Sequence, residues 1–132
     1  MIYEHYLETE PSGLYRITGQ VIEDVKASGV QEGVAVVYCP HTTAAITINE
    51  GADRSVAHDF LQGLDIIFPD MPHFTHAEGN SSAHLKSSVI GCSQTLLVEG
   101  GEVVLGSWQA VFFCEFDGPR RRRYYVKVIR ER

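Results

Sequence analysis

The chain has 132 residues, a length suited to one domain, and 44% of them are apolar, enough for a real core. Its 11 basic residues against 17 acidic ones give a formal charge of −6, which excludes a general nucleic-acid binder. Three cysteines, Cys39, Cys92 and Cys114, show no CxxC spacing, which argues against a disulfide framework and a zinc knuckle.

"YEHYLE" alternates and reads as an opening strand. In "RITGQVIEDVKASG" the period changes: Ile17, Val21 and Val25 recur at every fourth position and Gly29 follows, predicting one amphipathic helix. "GVAVVYC" reads as a buried strand. "HTTAAITIN" reads as another, with Thr42, Ala44, Ile46 and Ile48 on its apolar face and His41, Thr43, Ala45, Thr47 and Asn49 on a small, polar one. "DRSVAHDFLQGLDIIF" repeats Val56, Phe60, Leu64 and Ile67 at helical spacing, with Asp53 as N-cap. "MPHFTHAEGNSS" has no apolar period and reads as a loop. "SAHLKSSVIG" predicts a short helix capped by Ser81 or Ser82 and stopped by Gly91. "QTLLVEGGEVVLG" predicts a hairpin turning at Gly100-Gly101. "WQAVFFCEF" is apolar on both faces, which implies a subunit interface, since an antiparallel strand ordinarily shows water one face. "RRRRYYVKVIRE" closes the chain. About seven strands and two or three helices, without regular βαβ alternation, predict an α+β, mainly-β antiparallel sandwich in a single domain, residues 1–132.

"MIYEHYLETE" lacks the basic and apolar regions of a signal peptide, and no apolar run nears the roughly 20 residues that span a membrane. A soluble, reduced, cytoplasmic protein with no membrane partner is expected.

Six histidines supply ligands and bases that work near neutral pH. His76 and His84 flank a Glu78-Gly79 turn in a loop with no core to fill, and suit a divalent metal, zinc or magnesium. Lys86, Ser87 and Ser88 bring a cation and two hydroxyls to one segment, which suits a phosphate or an ordinary solvated face. In "DGPRRRR" alternation sends Arg120 and Arg122 to one side and Arg121 and Arg123 to the other; one or two of the four suit a phosphate clamp. Gln109 and Glu115 are polar ends of an apolar stripe. P-loop, Rossmann and nucleophile-elbow motifs are absent.

"HTTAAITINE", "VAHD", "HAEGNSSAHLKSSVIG", "LGSWQ" and "CEFDGPR" resemble, in order, the motifs of the secondary thiamine-phosphate synthase family, formerly an uncharacterised conserved family. Gly51, after Asn49-Glu50, departs from that family's commoner Asn-Glu-Asn. The resemblance implies a sandwich-like homotrimer with a His-rich cleft near a subunit boundary. It also implies a weak transferase activity joining a hydroxymethylpyrimidine diphosphate to a thiazole phosphate with release of diphosphate. On that reading His41, Glu50 and Asp59 are the acid–base or positioning residues. Lys86, Ser87, Ser88, Arg120 and Arg123 hold phosphate. Thr43, Asn49, Gln109 and Glu115 line the cleft, and His76 and His84 hold the metal. The competing expectations are a non-catalytic trimeric binder of a phosphorylated metabolite or metal, and a metal-assisted hydrolase.

Overall fold

A computed structural model describes all 132 residues. Its elements run β1 (Tyr3–Glu8), β2 (Gly13–Arg16), α1 (Thr18–Ser28), β3 (Gly33–Tyr38), β4 (Ala44–Glu50), α2 (Arg54–Ile67), α3 (Ser81–Ile90), β5 (Ser93–Glu99), β6 (Glu102–Val103), β7 (Gln109–Glu115) and β8 (Arg121–Arg130). The strands form two antiparallel sheets, one ordered β1-β8-β3-β5-β6 and the other β2-β7-β4. The α+β, mainly-β sandwich read from the sequence is what the chain forms. No helix is long and apolar enough to cross a membrane.

The core lies between the sheets and α1. Ile17, Val21 and Val25 meet Ala35 and Val37 of β3, Ile46 of β4, Leu96 and Val98 of β5, Val111 and Phe113 of β7, and Tyr124 and Val126 of β8. His5 of β1 fastens α1 from the side, its Nε2 2.6 Å from Asp24 Oδ2. Gly100 and Gly101 form the β5–β6 turn with φ of 59° and 76°, a left-handed pair that matches strand twist and favours glycine.

Several boundaries differ from the periodicity. The first helix was expected to begin near Arg16, but Gly13–Arg16 is a strand paired with β7. Its apolar spacing is too short to distinguish the two, and the β7 edge decides. α1 starts at Thr18, whose hydroxyl accepts from Val111 N–H at 2.9 Å. Asp53 caps α2 as expected, accepting from Ser55 N–H. For α3 the cap position is Asn80, with no side-chain capping bond. Asp70, eleven residues before the helix starts, supplies the acceptor instead, taking Ser82 N–H at 2.9 Å.

The fourth strand begins at Ala44, not at His41. β3 belongs to the large sheet and β4 to the small one. Residues 41–43 are the crossover between layers, so the expected polar strand face carrying His41 does not form. The strand "QAVFFCE" is buried on both faces inside one chain: Val111 and Phe113 face the core, while Ala110, Phe112 and Cys114 on the reverse are 0%, 7% and 0% exposed. It is the middle strand of its sheet, between β2 and β4. A subunit interface is not needed to explain its composition.

Candidate functional site

Three adjoining cavities share His84, on the exposed side of α3. α3 is held there by β4, whose free edge it closes. Ser87 Oγ donates to Ala44 O at 2.7 Å and Ile46 N–H donates to Gly91 O at 3.1 Å. One cavity, of about 610 Å³, runs from Tyr38 through His41 to Ser88 and Cys92. A second, of about 330 Å³, is lined by Pro40 and otherwise by polar side chains, among them His41, Thr43, Asn80, His84, Arg120 and Arg122.

Arg122 is buried behind this wall. Its Nε donates to Glu115 Oε1 at 2.7 Å and its Nη2 to Glu115 Oε2 at 2.5 Å and Thr43 Oγ1 at 2.8 Å. Glu115 also takes Thr9 Oγ1 at 2.6 Å and Asp117 N–H at 3.0 Å. Burial alone would push the Glu115 carboxyl up, but the Arg122 guanidinium, the Thr9 hydroxyl and the Asp117 N–H outweigh it and hold it below the usual glutamate range. The ion pair is therefore ionised; Nη1 of Arg122 takes no part in these bonds, and the residue lines the polar cavity. Arg120 repeats the arrangement at the rim: Nε bonds Asp117 O and Nη2 bonds Asp117 Oδ2.

His41 caps a backbone group. Where β3 ends, Arg123 N–H lacks a ladder partner and donates to His41 Nε2 at 3.1 Å. Burial, helped by the charge of Arg122, lowers the His41 pKa below the ordinary imidazole value. A neutral ring accepting at Nε2 carries its proton on Nδ1. His41 is thus a donor at neutral pH, and its Nε2 is committed to the backbone.

The structure gathers some of the residues expected in one cleft and scatters the rest. His41, Thr43, His84, Ser87, Ser88 and Arg120 meet there, and Glu115 stands behind Arg122. Asn49, Glu50 and Gln109 sit at the far end of β4 and β7, about 20 Å along the strand at ~3.3 Å per residue. There Glu50 Oε2 accepts from Ala52 N–H and Gln109 Oε1 from Gly106 N–H. Asp59 is exposed on α2 beside His58. Lys86 is buried against α2, its ammonium paired with Asp65, away from this cleft. Arg123 lies on the outer face of the large sheet over the Tyr125 ring, with its centroid 5.9 Å away. Its strand register sends it opposite to Arg122, and it does not line the polar cavity. Arg122 and Asn80 are the residues missed. The alternation that puts Arg120 and Arg122 together already pointed to Arg122.

The histidine pair is close: the rings of His76 and His84 are perpendicular with centroids 5.1 Å apart. Glu78 Oε1 is 4.0 Å from His76 Nε2. No group of three or more His, Cys, Asp or Glu side chains converges anywhere in the chain. Within one chain, His76 and His84 therefore have no third such side chain converging with them.

Residues 4–131 match the family model described as UPF0047 protein YjbQ-like. The chain belongs to this family. It is 51% identical over 130 residues to a UPF0047 protein of Methanocaldococcus jannaschii, covering 98% of this chain and 94% of the relative. It is 46% identical over 122 residues to the UPF0047 protein YugU of Bacillus subtilis, covering 92% of each. A crystal structure of a family member from Clostridium acetobutylicum superposes with a TM-score of 0.94 at 49% identity, over 96% of this chain and 99% of that one. A YbjQ-like protein of unknown function from Sulfolobus solfataricus superposes equally well, TM-score 0.94 at 30% identity, over 99% and 97%. These findings correct the family expected from the motifs and the reaction drawn from it. The family is one of unknown function, and thiamine-phosphate synthesis appears in none of these descriptions.

Proposed function

We propose that the cleft between residues 40–43, α3 and Arg120–Arg122 binds a small phosphorylated metabolite. The observation that carries this reading is the polar cavity of about 330 Å³ with two guanidinium groups in its wall. Each guanidinium is held by a carboxylate on one edge, which fixes the position of its remaining N–H groups. His41 adds a neutral N–H donor, and His84 brings a second imidazole to the same cavity. Preorganised donors around a small cavity suit an oxyanion better than an apolar ligand. Association of three copies belongs to the same proposal. Tyr6, Tyr38, Leu97 and Ile129 are exposed on the outer face of the large sheet, and Tyr38 also lines the cleft.

Calorimetric titration at low ionic strength, with inorganic phosphate and glycerol phosphate, tests the reading. Saturable binding that Arg120→Ala or His84→Ala weakens about tenfold is expected, the scale of one charged hydrogen bond. Binding to wild type that matches neither anion, or that both variants retain in full, overturns it.

A further inference from the structure

The β3–β5 ladder carries a feature hidden by the spacing of the cysteines. Tyr38 pairs with Ser93. The pairing continues one step further: Cys39 N–H donates to Cys92 O at 2.7 Å. The same register sets Cys39 directly opposite Cys92, and opposite residues of an antiparallel ladder share a face. Tyr38 and Ser93 are exposed on the outer face; Cys39 turns inward, and Cys92, in the bend just before β5, stays open to solvent. Both line the cavity that holds His41 and His84. Across an antiparallel pair the Cα atoms lie about 4.5–5.5 Å apart, within the roughly 4.4–6.8 Å that a disulfide spans. The two thiols differ in access. Cys39 is 1% exposed, while Cys92 is open to solvent. Burial pushes the Cys39 thiol up to about 11, and a charge at Cys92 adds to that rise, a sign of their closeness.

We propose that Cys39 and Cys92 form a reversible thiol–disulfide pair in the wall of the cleft. The oxidant is a low-molecular-weight disulfide such as glutathione disulfide. The Cys92 thiolate attacks one of its sulfurs; that S–S bond breaks, and one glutathione leaves as thiolate. Cys39 then gives its proton to solvent and attacks Sγ of Cys92. The Cys39–Cys92 bond forms and the second glutathione leaves. Two protein thiols are oxidised and one glutathione disulfide is reduced to two thiols. The order follows access: the exposed sulfur meets the oxidant, and the buried one resolves the mixed disulfide. The bond ties the end of β3, two residues before His41, to the α3–β5 corner, and both segments bound the cavity. Reduction of the bond starts at its one accessible sulfur, that of Cys92, as a reversible switch requires. Nothing in this proposal rests on the phosphate reading.

The test treats reduced protein with excess glutathione disulfide at mildly alkaline pH, alkylates residual thiols in denaturant, and maps peptides by mass without reduction. A monomer lighter by two hydrogens, a Cys39–Cys92 cross-linked peptide, an alkylated Cys114 and full reversal by dithiothreitol are expected. Arrest at a stable glutathione adduct on Cys92, or a cross-link through Cys114, overturns the proposal. Cys92→Ser, at an exposed position, should fold and form no cross-link. Loss of two thiols in that variant overturns it as well.

Discussion

Arg122 and Glu115 form a two-pronged ion pair, 4% and 0% exposed, that joins β8 to β7 beneath the cleft. A charge taken out of water is tolerated only when its partners are complete. Here Thr9, Thr43 and Asp117 bond the pair as well. Replacing one member strands the other, so Arg122→Met and Glu115→Gln should each lose roughly 3–5 kcal/mol of stability. The double variant Arg122→Met/Glu115→Leu should recover most of that loss, because neither charge is then buried alone. Urea unfolding measures all three, and singles within about 0.5 kcal/mol of wild type would show that the pair is not a stability element.

Acid should weaken the fold in two stages. His41 is lowered in the folded chain, so the unfolded chain binds its proton first. That contribution is complete above about pH 6.5, the unfolded value, and fades as pH falls through the folded one. Glu115 is also lowered, so its contribution is present above about pH 4.3 and is lost as pH falls further. The urea midpoint should therefore drift down below about pH 6.5 and drop steeply below about pH 4.3. His41→Gln should remove the first stage alone. A midpoint flat from neutrality into the steep acid region would contradict this account.

Alternation carried most of the fold. Strand faces in β1, β5 and β8 follow from period two, and the split of Arg120 and Arg122 from Arg121 and Arg123 is correct at the level of sequence. Residues 41–43 were misread because alternation continues through them, although Pro40 stands where the chain leaves one sheet for the other. Motif residues expected in one cleft separated because adjacency in sequence is not adjacency along a strand: His41 and Glu50 flank opposite ends of β4. Asp70 as the cap of α3, and Cys92 opposite Cys39, are contacts between distant segments with no local signal.

Lys86 and Arg120 should part company experimentally. Lys86 is buried against Asp65, which is 71% exposed at its own side chain, and helps hold α3 to α2. Lys86→Met should shift thermal unfolding while leaving phosphate affinity unchanged. Arg120→Ala, at the rim with half of its side chain exposed, should do the reverse. Thermal melts and titrations on both variants decide it. A phosphate defect in Lys86→Met at full stability would move the anion site to the far side of α3.

The remaining prediction separates anion binding from metal binding. His76 and His84 face one another, Glu78 is 4.0 Å from His76, and no group of three or more such donors converges within one chain. Two imidazoles alone hold a divalent ion weakly compared with a closed four-ligand site. Phosphate binding should then survive dialysis against a chelator and should change less than about twofold, well inside the tenfold step of a lost charged hydrogen bond. His76→Ala should leave it nearly intact, because His76 does not line the polar cavity that holds the arginines. His84→Ala should weaken it, because His84 lines the polar cavity beside both arginines. If chelation abolishes binding and zinc or magnesium restores it, the ion is part of the site, and the two histidines must share it with the ligand or a second chain. Equal losses in both histidine variants would point to the same conclusion.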